Sequence, residues 1–367
     1  MNAKIIIIGN EILNGFTKDL NAEFLIKNLI KYDVIVHNVV FIKDEIPLII
    51  QELKQIRSIN FVFLTGGLGA TSDDVTSQAL DIFFSQTKPK LLDNEIGTAS
   101  GLWYKREGVN YFSFPGVPSE MKLMSKNLFS FFFDKKKQEN TFFQVNTIGV
   151  PESKLSLLLH NFEKEIPLGY SLSYLPDNII VKLRFHASSF ESDSFLRLKN
   201  KLKQILGNFI FSYDDISLQE IIVQSLIKKK IKIAIAESCT GGKISNMLTS
   251  IPGASKVLAG SVIAYSIYAK EKILNIDSNI INKAGAVSED VVVEMAHSVR
   301  KKFNTNFGLA TTGYMGPFDK KNDNVAWLCL VSNEKTITKK INLKSTRSNN
   351  ILITSRYILN ELRKEIL

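Results

Sequence analysis

Two nucleophiles stand side by side in AESCTGG, residues 236–242, directly after the apolar run IKIAIA. A serine or cysteine at a strand-to-helix turn rich in glycine has the parts for acyl transfer: an attacking atom, and backbone N–H groups for the oxyanion of a tetrahedral intermediate. Ser238 or Cys239 would attack, and the N–H groups of Thr240, Gly241 or Gly242 would donate. A base is also needed. His37, His160, His186 and His297 are scattered, and no motif brings one to this turn. Lys270 would serve if burial lowered its pKa, with Tyr265 relaying or orienting, in a serine–lysine variant of the triad logic. The same two residues would also suit a helix start with a snorkelling lysine, and both readings stand at this point. Cys239 is the more reactive group near a helix N-terminus. Yet cysteine hydrolases pair the thiolate with a histidine, and a small residue after a strand buried on both faces is most often packed in the core. Ser238 is therefore the expected nucleophile and Cys239 a packing residue.

A second glycine-rich turn, TGGLGATSDD at 65–74, could do other chemistry. Its glycines miss the GxGxxG offsets of a dinucleotide loop, and SCTGGKIS at 238–245 fails the Walker A pattern because Ile244 stands where Ser or Thr is required. A glycine-rich loop entering a helix still offers unsatisfied N–H donors and a favourable dipole to an anion. Asp73 and Asp74 could hold a divalent metal there, or simply complement a first helical turn. A YxxxK dehydrogenase pair is excluded, since Tyr265 and Lys270 are spaced YxxxxK and no nucleotide loop matches.

Elements that would position these turns follow from periodicity. Apolar runs at 4–8, 34–41 and 60–64 alternate with helical patterns such as NAEFLIKNLIKY and EIPLIIQELKQI, which argues for a parallel sheet with crossover helices. Ligands in such sheets sit at the carboxyl ends of strands, where FVFLTGGLGATSDD makes its turn. NYFSF then runs into PGVPSEMKLM, a strand, turn and helix. Strands are expected in FFQVNTIGV and NIIVKLRFHA, with the helix FLRLKNKLKQIL before the next domain. From LQEIIVQSLIKKK onward, helical and apolar units alternate again to a terminal helix. The reading is α/β: two α/β domains with mostly parallel sheets, 1–138 and 215–367, joined by a small α+β module, 139–214.

Composition excludes several classes. The 367 residues are 45% hydrophobic and 22% charged, the balance of a globular chain that buries sizeable cores. The start MNAKIIIIGNE falls well short of the roughly 20 apolar residues of a membrane span and lacks a signal-peptide cleavage site, so no membrane partner and a cytoplasmic location are expected. Two cysteines support neither a disulfide framework nor a thiolate metal site. The net charge is +10. Its densest runs, KKK at 135–137 and KKKIK at 228–232, are short and separate, so they read as a linker and a solvated helix end, and not as a nucleic-acid surface.

GNEILNG near the start, TGGLGATSDDVT, GTASG at 97–101, FPGVPSEMK, YLP at 174–176, AESCTGG, AYSIYAK and GAVSEDV, in this order, together resemble the CinA (competence/damage-inducible) family. The resemblance covers nearly the whole chain. It implies an N-terminal domain of the MoaB/MogA-like, molybdopterin-binding fold, associated with ADP-ribose pyrophosphatase activity, and a C-terminal nicotinamide mononucleotide deamidase. It points to Ser238, Tyr265 and Lys270 as catalytic, and to Thr240, Gly241, Gly242, Thr312, Gly313 and Gly316 as substrate-binding. In the N-terminal nucleotide pocket it implies Thr65, Gly66, Gly67, Gly69, Asp73, Asp74, Ser119 and Glu120, with Asp73 or Asp74 the only metal candidates. The expected partner is a small-molecule pyridine nucleotide, the expected assembly a homodimer, and the deamidase is expected to need no cofactor. A nucleotide- or pterin-binding or competence-associated accessory protein without turnover is the alternative. Three departures from the family pattern stand out: SQTKPK in place of a long helical segment, YSIYAK for YSNEAK, and TGYMGPFDKKNDNVAW for a glycine-rich loop ending in KPVGT. The first predicts an incomplete N-terminal pocket.

Overall fold

The computed structural model describes residues 1–32, 34–69, 74–85, 87–133, 142–187, 192–316 and 324–367. The run at 135–137 lies outside them. The chain divides into two compact units, Met1–Glu139 and Asn140–Leu367.

In the first unit the strands are β1 (Asn2–Ile8), β2 (Ile35–Ile42), β3 (Phe61–Thr65), β4 (Lys90–Leu92), β5 (Gly101–Arg106) and β6 (Val109–Phe114), in the order β2-β1-β3-β6-β5-β4. β1 pairs parallel with β2 and β3, and β3 with β6; β5 and β4 then add antiparallel at the edge. The β1 run IIII is buried on both faces, because helices cover each side. Asn21–Leu29 and Pro118–Phe132 pack on one face, Ile46–Lys54 and Thr76–Phe84 on the other. The β5–β6 hairpin closes through Glu107 and Gly108, both with positive φ (51° and 81°). That is the backbone a two-residue hairpin loop requires, and a glutamate there gives no sequence signal of it.

The second unit holds two sheets. β7 (Phe142–Ile148), β8 (Tyr170–Asp177), β9 (Ile180–Ala187) and β10 (Ile210–Ser212) form an antiparallel sheet, order β10-β7-β9-β8, under the helices Glu152–Glu163 and Ser192–Leu206. The other sheet contains β11 (Ile233–Glu237), β12 (Leu258–Ile263), β13 (Phe307–Gly313), β14 (Val325–Val331) and β15 (Thr336–Asn342), order β12-β11-β13-β14-β15. β11 is central and parallel to both neighbours, whereas β14 and β15 are antiparallel. Its alternation is functional packing: Ile233 and Ile235 enter the core with the helices Leu218–Lys229 and Arg347–Ile366, while Ala234 and Ala236 enter the core with Glu289–Phe303. Ser238, Tyr265 and Thr312 thus fall at the carboxyl ends of β11, β12 and β13, where an open α/β sheet places its ligand.

The α/β class is as expected, but both larger sheets are mixed. The antiparallel strands β4, β5, β14 and β15 went unread, because hairpin additions leave no crossover helix in the sequence.

Candidate active site

Ser238 follows β11 directly, and its N–H donates to Thr311 O on β13 at 3.0 Å. The turn that follows is built by a carboxylate. Glu237, fully buried, accepts the N–H groups of Gly242 (3.0 Å), Ile244 (3.1 Å) and Ser245 (2.8 Å), and the Ser245 hydroxyl at 2.6 Å. It thereby satisfies the orphan donors of the helix Lys243–Thr249 from outside that helix. Gly241 and Gly242 have φ of 57° and 95°, the left-handed backbone that lets the chain reverse here.

Lys270 arrives from the neighbouring strand end. After β12 the chain turns, and Ser266 caps the helix Ile267–Lys272 by accepting the N–H of Ala269 at 3.1 Å. This places Lys270 inward, 2% exposed, with Nζ donating to Ser238 Oγ at 2.9 Å and to the Ala264 carbonyl at 2.9 Å. No carboxylate pairs with Lys270 among the described residues. Burial therefore holds its pKa below the usual lysine range, opposed only by the neighbouring Cys239 thiol. A lysine held towards its neutral form against a serine hydroxyl can accept that hydroxyl's proton and free the oxygen to attack.

A pocket of about 360 Å³ opens over this pair, and Ser238, Lys270, Tyr265, Thr312, Gly313 and Gly316 line it. Thr312 donates its hydroxyl to the Ala286 carbonyl at 2.8 Å. Gly313 is required by close approach: a Cβ there would meet Val325 O at 2.5 Å and Ala326 Cα at 2.8 Å on β14. Cys239 also reaches the wall, but it is 5% exposed, and burial pushes its thiol up to about 12 against the hydrogen bond from Thr311. The packing reading of Cys239 agrees with this environment.

Several expectations change. The N–H of Gly241 donates to Ser238 O and that of Gly242 to Glu237, so neither is available for an oxyanion. Thr240, Gly241 and Gly242 do not line the pocket; the Thr240 hydroxyl instead bonds that of Thr311 at 2.8 Å. Tyr265 lines the pocket with no hydrogen bond to Ser238 or Lys270; its hydroxyl accepts from Arg347 Nη2 at 2.8 Å. Arg347 Nη1 donates to Gly316 O at 2.6 Å, so the Gly313–Gly316 turn presents an arginine-held carbonyl. Three residues went unread: Glu237, Arg347 and Asn324. Asn324 is 5% exposed, lines the pocket, and its Nδ2 is buried with no acceptor among the described residues. Glu237 lies within AESCTGG, but nothing local shows what its carboxylate holds, and tertiary structure alone brings Arg347 and Asn324 to the pocket.

In the first unit, Gly66, Gly67, Gly69, Asp74 and Glu120 line a pocket of about 440 Å³ together with Glu11 and Asp44. A Cβ on Gly66 would lie 2.0 Å from Ile8 O, so the loop needs that glycine. Glu120 accepts from Asn94 Nδ2 at 2.7 Å. Thr65 lies beneath the pocket, accepting from Asn21 Nδ2 at 2.9 Å, and exposed Ser119 is not in the lining. Both were expected to line it. Asp73 lies outside the described residues, among which no cluster of three or more metal-ligating side chains occurs.

No helix among the described residues is long and apolar enough to cross a membrane. Comparison with known proteins matches residues 4–135 to the model of a probable molybdopterin binding domain and residues 215–366 to the CinA C-terminal domain. A CinA-like protein of Cytophaga hutchinsonii is 32% identical over 99% of this chain and 98% of its own length. A CinA-like protein of Flavobacterium psychrophilum is 32% identical over 100% and 99%. Among solved structures, a CinA superfamily protein of Enterobacter cloacae covers 43% of this chain and 97% of its own, with 25% identity and a TM-score of 0.40. With similarity running end to end through both domains and through the Ser238–Lys270 turn, the chain belongs to the CinA family.

Proposed function

We propose that this protein hydrolyses the carboxamide of nicotinamide mononucleotide to nicotinate mononucleotide and ammonia. The observation that supports it is the buried 2.9 Å contact between Lys270 Nζ and Ser238 Oγ in a pocket open to a small ligand. In its neutral form Lys270 keeps its bond to Ala264 O and accepts the Ser238 proton as Oγ attacks the amide carbon. The N–H groups of Cys239 and Thr240 donate to no acceptor among the described residues, and that of Cys239, which lines the pocket next to Ser238, is the turn's candidate for the oxyanion. Collapse of the intermediate breaks the C–N bond, and the proton held on Lys270 leaves with ammonia. Water then attacks the ester, again losing its proton to Lys270, which returns it to Ser238 as the acid departs.

The electron-poor pyridinium ring favours attack on its amide. Arg347 and the unpaired Asn324 amide supply a cation and a donor for an anionic ribosyl phosphate, away from the reacting atoms. Incubating the full chain with nicotinamide mononucleotide should release ammonia and yield the acid by mass. Absence of product at high enzyme concentration would refute the proposal. The first unit carries a separate reading as a nucleotide- or pterin-binding domain, supported by the glycine-rich loop and the acid-lined pocket beside it.

A further inference from the structure

We propose that the edge of the β11–β15 sheet opposite the catalytic mouth is a docking surface for the phosphate backbone of a nucleic acid. Residues 215–367 contain 22 lysines and arginines against 13 acids, so nearly all of the chain's +10 charge resides here. The topology decides where that charge goes. Helices that precede parallel strands end at the amino ends of those strands, so segments far apart in sequence meet along one edge. Lys232 leads into β11, Lys256 into β12, and Arg300, Lys301 and Lys302 end the helix before β13. Ile233 is in register with Leu258 and with Phe307, and Lys232 N–H donates to Asn306 Oδ1 at 2.8 Å, which fixes these segments side by side. Lys228, Lys229 and Lys230 close the helix before β11 on the same edge.

Lys228, Lys229, Lys230, Lys232, Lys256, Lys301 and Lys302 are all exposed, and none has an ion pair among the described residues. Two acids share this edge without an ion pair among the described residues, Glu294 and Glu334, against seven unpaired lysines. A polar groove of about 790 Å³, whose lining includes Arg300, Lys301 and Lys302 with His297 and a single acid, Glu294, is cut into this edge. Complementing helix dipoles explains one basic residue per helix end. It does not explain Lys232, which lies beyond its helix, or the surplus left unpaired.

The shape fits a duplex. The strand starts and the β14–β15 turn span about 15–20 Å at the spacing of neighbouring strands, close to half a helical turn of DNA. A bilayer fits less well, because exposed apolar side chains that could enter it (Ile263, Ile267, Tyr268 and Tyr314) lie at the opposite, catalytic end. Such contacts read charge and not sequence.

The test is fluorescence anisotropy of a labelled random-sequence DNA duplex titrated with the full chain across a salt series. Binding should weaken with a log–log slope of about 4–6, as expected when that many phosphates lose counterions. Reversing Lys232, Lys256, Lys301 and Lys302 to Glu should weaken binding at least about tenfold and flatten the slope, while ammonia release stays unchanged. The same four changed to Gln serve if the reversal unfolds the chain, and should weaken binding in the same direction. Reversing Lys18, Lys31, Lys105 and Lys126 imposes the same net charge elsewhere, and should leave affinity within about twofold. Equal loss in both sets would overturn the proposal, as would no salt-dependent binding, or capture by phosphatidylserine vesicles without capture by DNA.

Discussion

Replacing Lys270 with Met separates catalysis from stability in a way that the bland reading of this lysine does not allow. The side chain keeps its length but loses both its proton-accepting atom and its bonds to Ser238 Oγ and Ala264 O. Turnover of nicotinamide mononucleotide should fall by three or more powers of ten, the scale on which members of a catalytic unit fail singly. The stability effect has a definite sign. Burial lowers the folded-state pKa, so between that pKa and the unfolded value of about 10.4 the unfolded chain binds more protons, and wild-type stability rises with pH. Below the folded pKa the penalty for the buried ammonium is fully present. Lys270→Met lacks this group, so thermal melts should show the wild type gaining on the variant as pH is raised from 7 to 10, by about 1.4 kcal/mol per unit of depression. For the same reason kcat/KM of the wild type should rise about tenfold per pH unit on its acid limb and level off below the usual lysine range. Turnover within tenfold of wild type in Lys270→Met, or a stability gap unchanged over that pH interval, would refute the reasoning.

Ser238→Ala should remove turnover by orders of magnitude, whereas Cys239→Ala should leave kcat near normal and lower the melting temperature, since it opens a small cavity; iodoacetamide should not inactivate a thiol so buried. Glu237→Ala strips three backbone N–H groups of their acceptor, and should cost about 3 kcal/mol or more in denaturant titration together with a drop in kcat, although Glu237 is absent from the pocket lining. The first unit should hydrolyse ADP-ribose weakly or not at all; robust metal-dependent release of AMP, lost in Asp74→Ala, would show that the short 85–90 connection is not disabling.

What could be read from the sequence was what a single segment determines. The β11 run IKIAIA, its small residues and the glycines that follow specify a strand, a reversal and a helix with no help from elsewhere. Ser238 was therefore legible, as were the runs that became β1, β2 and β3. Lys270 needed one relation across segments, which the YSIYAK resemblance supplied. Tyr265 was named by the same motif, but its partner is Arg347, 82 residues later, and no local pattern encodes that meeting. Gly241 and Gly242 were misjudged because a sequence shows that N–H groups exist and not that Glu237 and Ser238 already hold them. The basic edge was missed for the same reason: KKKIK and RKK look like separate helix ends until a parallel sheet sets their strands side by side.

The departures from the family pattern sort by position. Ile267 and Tyr268, which alter the YSNEAK stretch, are 52% and 68% exposed and do not line the pocket. The cap on that helix comes from Ser266, and the contact with Ser238 from Lys270, both unchanged. These two substitutions therefore leave the Lys270–Ser238 contact as built. Tyr314 and Met315 are different, because both form pocket wall beside Gly316 and Asn324, beyond the end of β13. Asn324 stands just before β14, where Tyr314 N–H donates to Val325 O, three residues along the strand from the Thr311–Ser238 contact. At about 3.3 Å per residue Tyr314 lies about 10 Å along the strand from Thr311. A change there alters the fit of the remote end of a ligand and not the path of the proton. By the proposed reaction it should appear in KM for the mononucleotide, with the chemical step left to Ser238 and Lys270.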